Sequence, residues 1–251
     1  MKTIKLTAYL SDYFDVNNIE DSSLNGVQVE STHKETTKIT FAVDFSLEAV
    51  KFAKKNNSQM LFVHHGLIWK GLPSITGLTY EYIAALIKNS IALYGMHLPL
   101  DMHPEVGHNI ELCRILNLGE ISPFGNYKGT TIGFSGKLKK AVSLKTIAKE
   151  LEKKLKTKNT LLEFGPKTIK SIAVVSGGAA DLSLESKEKN IDLYITGETS
   201  HSWYNKIKDS RINVLFGGHY ATETLGLKKT AEHLKEKFGL KTAWFDNPTG
   251  L

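Results

Sequence analysis

The chain has 251 residues, 41% of them hydrophobic and 23% charged, which is enough to bury a large core in one domain or two. Its net charge of +6 suits an anionic ligand, but no nucleic-acid-binding motif accompanies the dispersed lysines, so nucleic acid is disfavoured as a partner. The single cysteine, Cys113, excludes an intrachain disulfide and a thiolate zinc cluster. Because no long apolar run and no signal-like start are present, we expect a soluble, cytoplasmic protein without membrane association.

Helical and strand patterns alternate over the first part of the chain. Apolar residues near helical spacing predict a helix over 3–14, and β-rich runs predict strands. The predicted strands are 27–30, 38–44, 60–63 and 91–96, and the further predicted helices are 46–54, 79–89 and 104–118. Ser46 is a suitable N-cap for the helix that follows it. Strand, helix and strand with short connections form a βαβ unit, which implies a parallel sheet.

The same alternation continues after a stretch, 121–136, whose proline and glycines indicate a boundary. The predicted strands are 160–164, 169–175, 192–196, 213–216 and 241–245, and the predicted helices are 143–156, 182–189, 203–208 and 222–238. The turn Ser176-Gly177-Gly178 follows a strand and could bind an anion through backbone N–H groups. It lacks a Walker A ending, and such glycines are at least as often structural.

Histidines and carboxylates follow the predicted strands. His64 and His65 follow the strand at 60–63, and His97 and Asp101 follow the strand at 91–96. Taken alone, the His64–His65 pair fits two metal ligands and a structural pair equally well. Ligand sites of parallel α/β sheets lie at the carboxyl ends of the strands, so the additional side chains favour ligands.

His219 and Glu223 lie four residues apart at a predicted helix start, which places them on one helical face. Taken alone, the pair also has a structural explanation. The helix dipole favours a glutamate near the start of a helix, and the histidine beside it would then be incidental. With His64, His65 and Asp101, it forms a set of three imidazoles and two carboxylates, which suits Zn, Fe, Mn, Co or Ni. Since five ligands exceed the usual three of one catalytic zinc, two divalent ions are the economical interpretation, and hydrolysis is their natural chemistry.

The other histidines carry weaker signals. His97 is a candidate for support of a ligand, for proton donation or for a structural role, and it is the weak catalytic candidate of the chain. Glu198 and His201 follow the strand at 192–196 and are candidates for substrate or acid–base groups. The remaining four are expected at the surface: His33, His103, His108 and His233.

Seven short stretches match one known family in its own order and span nearly the whole chain. They are Leu24-Asn25-Gly26-Val27-Gln28-Val29, Phe62-Val63-His64-His65-Gly66-Leu67-Ile68-Trp69-Lys70-Gly71, His97-Leu98-Pro99-Leu100-Asp101, Ser176-Gly177-Gly178-Ala179, Ile195-Thr196-Gly197-Glu198, Gly218-His219-Tyr220-Ala221-Thr222-Glu223 and Asp246-Asn247-Pro248-Thr249-Gly250-Leu251. With them the chain resembles the Nif-three-like (interacting factor 3-like) proteins, often named GTP cyclohydrolase 1 type 2. One departure is His108, which stands where the family more often has an asparagine.

The resemblance implies a dinuclear metal centre on His64, His65, Asp101, His219 and Glu223. It also implies two interlocked α/β domains with mixed or parallel sheets and a metal site at strand ends near the inter-domain cleft. One domain is expected to be discontinuous, 1–122 plus 195–251, with a middle domain, 123–194, inserted into it. The implied assembly is a homohexamer built as a trimer of dimers.

The family name implies that metal-activated water opens the imidazole ring of GTP and releases formate. Two other classes of function stay open on the sequence. One is a non-catalytic role in metal handling, metal insertion or scaffolding, and the other is hydrolysis of a phosphate or nucleotide ester. A small anionic substrate, possibly a nucleotide, suits the positive charge under either hydrolytic interpretation.

Overall fold

The computed structural model describes residues 1–71 and 74–250, so the last residue of the Asp246–Leu251 motif lies outside the described residues. In chain order the strands are β1 (Gly26–Val29), β2 (Lys38–Asp44), β3 (Met60–His65), β4 (Ala92–Gly95), β5 (Gly119–Tyr127), β6 (Thr130–Ser143), β7 (Thr160–Glu163), β8 (Thr168–Val174), β9 (Leu193–Thr196), β10 (Asn213–Phe216) and β11 (Lys241–Trp244). The helices are α1 (Thr3–Tyr13), α2 (Leu47–Lys55), α3 (Gly77–Lys88), α4 (Leu98–Asp101), α5 (His108–Ile115), α6 (Leu144–Leu155), α7 (Glu185–Glu188), α8 (Tyr204–Ser210), α9 (His219–Thr222) and α10 (Leu225–Phe238). Three short 3-10 helices cover Val16–Asn18, Ala180–Leu184 and His201–Trp203.

Two mixed β-sheets with helices make up the fold, which confirms the predicted α/β class. By their contacts the residues divide into two compact units. The first unit comprises residues 1–100 with 227–247, and the second comprises residues 101–226 with those that follow Asn247. The domain boundaries predicted from the sequence, at 122 and 195, stay a prediction. In the second unit, buried residues of α5 pack against the sheet in which β9 and β10 pair.

The first unit contains a five-stranded sheet of order β1-β4-β3-β2-β11. β11, β2, β3 and β4 are parallel, and only β1 is antiparallel to its neighbour β4. The predicted βαβ unit is therefore confirmed, and the Ser46 side chain caps α2 by accepting a hydrogen bond from the Ala49 N–H. β3 is an almost uninterrupted buried apolar run, as expected for a central parallel strand.

The second unit contains a six-stranded sheet of order β5-β6-β8-β9-β10-β7. β8, β9 and β10 are parallel, whereas the other pairings are antiparallel. Buried side chains of α5 and α6 pack with those of β8, β9 and β10 in one hydrophobic core, which includes Leu151, Ile172 and Leu215. Ser143 caps α6 through a hydrogen bond from the Thr146 N–H, as its sequence position predicts.

Three predicted elements need correction. The stretch 121–136 is not a boundary loop, because most of it forms the paired strands β5 and β6. The predicted helix 104–118 is only α5, and the helix predicted over 222–238 is α10, which begins at Leu225 after the separate short helix α9. In β6, a side chain at Gly133 would collide with the Val174 carbonyl of the neighbouring strand, so close strand approach explains a glycine there.

No helix within residues 1–71 and 74–250 combines the length and apolar character that a membrane span requires.

Candidate metal centre

His64 and His65 are the last two residues of β3, and their ring centroids lie only 4.6 Å apart. His64 is fully buried, and its Nδ1 atom lies 2.9 Å from the Met96 carbonyl, which can only accept a hydrogen bond. His65 Nδ1 lies 2.8 Å from Asp44 Oδ1, at the end of the neighbouring strand. Both Nδ1 atoms therefore donate, and each ring offers its Nε2 lone pair as a possible metal ligand.

His97 follows β4 in the same unit and is held in the same manner. Its Nδ1 atom lies 3.0 Å from each oxygen of the Asp21 carboxylate, and its backbone N–H donates to Asn25 Oδ1 at 2.7 Å. Burial raises the pKa of Asp21, but the hydrogen bond and charge of His97, together with hydrogen bonds from the Asn25 side chain and the Ser23 backbone, outweigh it and lower that pKa to about 2. Asp21 is consequently a buried anion that orients the imidazole.

The parallel register brings these histidines to one edge of the sheet. Val63 pairs with Gly95, so the residues after them on β3 and in the loop after β4 are neighbours. One possible ligand atom from each of His64, His65 and His97 lies within 4.8 Å of the other two. The sequence prediction that strand ends gather these residues is therefore confirmed within the first unit.

His219 and Glu223 form the corresponding pair in the second unit. His219 Nε2 lies 3.2 Å from Glu223 Oε1, and the opposite ring nitrogen, Nδ1, lies 2.6 Å from Glu198 Oε2. Burial lowers the pKa of His219, but the hydrogen bonds and charges of Glu223 and then Glu198 outweigh it and raise that pKa to about 9. Two carboxylates thus favour a positive charge at this imidazole.

The glycine turn after β8 supports this pair instead of forming an anion site. Gly177 has φ +66°, and a Cβ atom there would lie well under 3.0 Å from Glu223 Oε1. The N–H groups of Gly177 and Ala179 donate to the hydroxyl oxygens of Thr222 and Thr196. Since these donors are already used inside the fold, the structural interpretation of the glycines is favoured.

Asp101 ends α4 and is buried in the second unit. Its Oδ1 accepts a hydrogen bond of 2.6 Å from Ser176 Oγ, and the Ser176 N–H donates to Asn109 Oδ1 at 2.7 Å. Ser176 belongs to the turn that also adjoins Glu223 through Gly177. The sequence predicted Asp101 as a ligand, and it singled out Ser176 only as the first residue of the glycine turn, not as a partner of Asp101.

Two of the other histidine predictions were wrong and one was right. His103 and His108 are buried, not at the surface, because each ring accepts backbone N–H groups. His103 Nδ1 accepts from Glu105 and Val106, and His108 Nδ1 accepts from Gly226 at 3.0 Å. His33 is exposed as predicted.

The remaining two candidates differ in their surroundings. His233 is half-buried and stacks on Tyr13, while its Nε2 lies 2.6 Å from the Tyr9 hydroxyl. His201 is exposed at the start of a 3-10 helix.

The order of the strands in the two sheets defines an α/β protein. The histidines at the strand ends, with the carboxylates around them, form candidate metal-binding clusters. Residues 1–248 match the model of Duf34/NIF3 (NGG1p interacting factor 3), so the chain belongs to this family. The resemblance inferred from the motifs is thereby confirmed.

Relatives and solved structures agree with this assignment over the full length of the chain. A Pyrococcus abyssi protein named GTP cyclohydrolase 1 type 2 homolog is 43% identical over all of both chains. Its Pyrococcus horikoshii counterpart, with the same name, is 44% identical over 98% of both chains. The crystal structure of TTHA1606 from Thermus thermophilus superposes with a TM-score of 0.92 at 32% identity, covering all of both chains. The structure of reduced HcgD from Methanocaldococcus jannaschii covers 98% of both chains at 25% identity and a TM-score of 0.86.

Proposed function

We propose that this protein binds two divalent metal ions through His64, His65, Asp101, His219 and Glu223 and uses them to hydrolyse a nucleotide. The observation that carries the proposal is the shared orientation of the histidines. His64, His65 and His219 each direct Nδ1 to a carbonyl or carboxylate oxygen. This arrangement fixes the ring of a metal-binding histidine and raises the basicity of Nε2.

The charges of the surrounding side chains also fit cations. Asp101 and Glu223 are buried carboxylates, and Asp44 and Glu198 lie against the ligand histidines from outside. Burial of the Asp101 and Glu223 carboxylates is costly unless positive charge compensates them. The raised pKa of His219 reflects the same preference for positive charge at this position.

Two bound ions would supply an activated water nucleophile at neutral pH and an electrophile for a substrate oxygen. The residues of the chain contribute positions and charges to this chemistry. Asp44 and Glu198 hold the imidazoles of His65 and His219, and Ser176 holds the carboxylate of Asp101. Hydrogen-bonding partners that are fixed in this way lower the reorganisation that catalysis requires.

The proposed reaction is the opening of the imidazole ring of GTP by water, with release of formate. Support comes from the names of the Pyrococcus relatives, which are GTP cyclohydrolase 1 type 2 homologs at 43% and 44% identity. The net charge of +6 also favours a polyphosphate substrate. The family-type homohexamer, a trimer of dimers, is proposed as the working assembly, and light scattering of the purified chain measures it.

The first experiment measures metal per chain in protein purified without added metal or chelator. Wild type is expected to contain about two ions, and His65→Ala markedly fewer, while the exposed-histidine variant His33→Ala matches wild type. Circular dichroism verifies that the variants are folded. Absence of metal from wild type, before and after soaking with zinc, manganese or iron salts, would refute the metal proposal.

The second experiment incubates the metal-loaded protein with GTP and measures formate and inorganic phosphate separately. Formate release that disappears in Glu223→Gln supports ring opening. Phosphate without formate indicates a phosphate-ester hydrolase, and it refutes the ring-opening reaction. Neither product, together with rapid exchange of the bound metal, refutes catalysis on GTP and supports a metal-handling role.

A further inference from the structure

We propose that the indole of Trp69 is the surface on which the purine base of the nucleotide substrate stacks. The inference rests on the proposed hydrolysis of GTP and names a residue that recognises the base. In this assignment Trp69 binds and orients the base, which is the part of the substrate that is opened, and it is not itself a metal ligand.

Trp69 lies in the loop that follows β3, next to a proposed metal ligand. Its ring centroid is 6.2 Å from that of His65 and 5.0 Å from that of His97. The contact with His97 is edge-on, with an angle of 70° between the ring planes. A base that stacks on an aromatic ring lies about 3.5–4 Å from it. A purine on this indole would therefore lie beside the imidazole of His65, where the proposed reaction has to occur.

The indole of Trp69 is open to solvent although it is large and apolar. The residue is 38% exposed. The other two tryptophans of the sequence, Trp203 and Trp244, are half-buried, and a lysine ammonium group lies over each ring, 4.2 and 4.8 Å from its centroid. Aromatic surface beside a few convergent polar groups is typical of a small-molecule site. The exposed indole beside the histidines fits that description.

The loop that carries Trp69 is fixed by hydrogen bonds and close packing. Gln28 Oε1 accepts hydrogen bonds from the backbone N–H groups of Leu67 and Ile68, at 2.7 and 3.1 Å. A side chain at Gly66 would collide with that of Gln28, so the loop lies directly on it. The Trp69 Nε1–H donates to the Gly66 carbonyl at 2.9 Å. The indole is thus held in one orientation before a ligand arrives, which lowers the entropic cost of binding.

The chemistry of this surface selects the base and not the phosphates. Because the indole N–H is used within the loop, Trp69 offers its π-surface to a ligand. Every purine has a π-face, and stacking on an aromatic side chain strengthens binding without base-specific hydrogen bonds. The phosphates are served by positive charge, to which the exposed Lys70 contributes. A triphosphate without a base would therefore use the charge but not the indole.

The test compares zinc-loaded wild type with Trp69→Ala and with Trp69→Phe, which keeps an aromatic face. Trp244→Phe, in the same unit, controls for the loss of an indole elsewhere. The first probe is 7-deaza-GTP, whose five-membered ring has carbon in place of N7 and is not opened by hydrolysis. The second is the matching base-free compound, 1-deoxyribose 5-triphosphate. Calorimetry measures both affinities, and quenching of tryptophan fluorescence reports contact with the indole.

We expect Trp69→Ala to weaken binding of 7-deaza-GTP by about 10–100-fold and to leave binding of the base-free triphosphate unchanged. Trp69→Phe should lose less, and Trp244→Phe should match wild type. Metal content should be equal in all four proteins. 7-Deaza-GTP should quench the fluorescence of wild type and of Trp244→Phe, but not that of Trp69→Ala.

Two results would overturn this inference and leave the proposed function intact, provided that wild type releases formate from GTP. One is equal affinity of wild type and Trp69→Ala for 7-deaza-GTP. The other is an equal loss of affinity for both triphosphates in Trp69→Ala. Failure of wild type both to bind 7-deaza-GTP and to release formate would instead overturn the proposed function, and this inference with it.

Discussion

Replacement of Gly177 by alanine tests whether the glycine turn after β8 exists to position Glu223. Gly177 has φ +66°, and an alanine in this left-handed region costs roughly 1–2 kcal/mol. The new methyl group would also collide with Glu223 Oε1, which would have to move by about 1 Å to reach ordinary contact. Such overpacking costs roughly 1–3 kcal/mol more, so a total destabilisation of about 2–5 kcal/mol is expected.

Gly129→Ala is the matched control for this substitution. Gly129 lies in the same unit with φ +89°, and a Cβ atom there would meet nothing within 4 Å. Urea unfolding of both variants separates the backbone cost, which they share, from the collision, which only Gly177→Ala contains. Metal titration should show weaker binding in Gly177→Ala alone. Equal stability and equal metal affinity of the two variants would show that Gly177 does not position Glu223.

Further predictions concern the outer carboxylates, the metal, the core and the surface. Asp44→Asn should weaken metal binding 10–100-fold in a cobalt titration, because it removes the charged acceptor that orients His65, whereas unchanged affinity would contradict that role. Addition of EDTA should lower the thermal midpoint, since ligand at 100 times its Kd contributes about 2.7 kcal/mol per site, and an unchanged midpoint would argue against bound metal. Leu215→Ala should destabilise the protein by about 2–5 kcal/mol in urea, because Leu215 is fully buried in the core of the second unit. Glu120→Gln should leave the urea midpoint unchanged, because its ion pair with Lys137 is exposed to solvent.

Much of the fold was predictable because local patterns and tertiary contacts agree. The apolar run of β3, the N-cap at Ser46 and the short connections predicted a parallel βαβ unit, which the structure contains. Ser143 predicted the start of α6 for the same reason. N-caps, apolar runs and short connections are set by residues that are adjacent in the chain, so they can be identified from the sequence alone.

The hairpin of β5 and β6 was missed because a glycine in it is required by contact with a strand that is distant in the sequence. Local propensity interprets Gly125, Gly129 and Gly133 as breaks in structure. Only Gly129 serves a turn, whereas Gly133 gives room to the carbonyl of Val174, which lies about forty residues away on β8. A pattern within one segment cannot contain the position of a strand that pairs with it from elsewhere.

Burial of His103 and His108 was missed for a related reason. In each case a ring nitrogen accepts hydrogen bonds that a backbone carbonyl would otherwise accept. The donors are the N–H groups of residues 105 and 106 for His103 and that of Gly226 for His108. A histidine that satisfies backbone N–H groups is apolar enough to be buried once its partners are in place. The polar character of histidine predicted that both residues are exposed. Their hydrogen bonds to backbone N–H groups instead allow both to be buried.

Among the candidate ligands, the strand-end rule identified the histidines but was applied too narrowly to the carboxylates. Asp44 ends β2 and pairs in register with His65, so the same rule that selected His65 also places Asp44 beside it. Asp21 has no such signal, because it lies in a loop and reaches His97 across 76 residues of sequence. The position of a residue that supports a ligand can thus be predicted from the register of parallel strands when that residue lies on a strand. It cannot be predicted in this way when the residue lies in a loop. The Asp44→Asn variant therefore tests a support that lies on a strand, and it does so for the histidine that Asp44 contacts, His65.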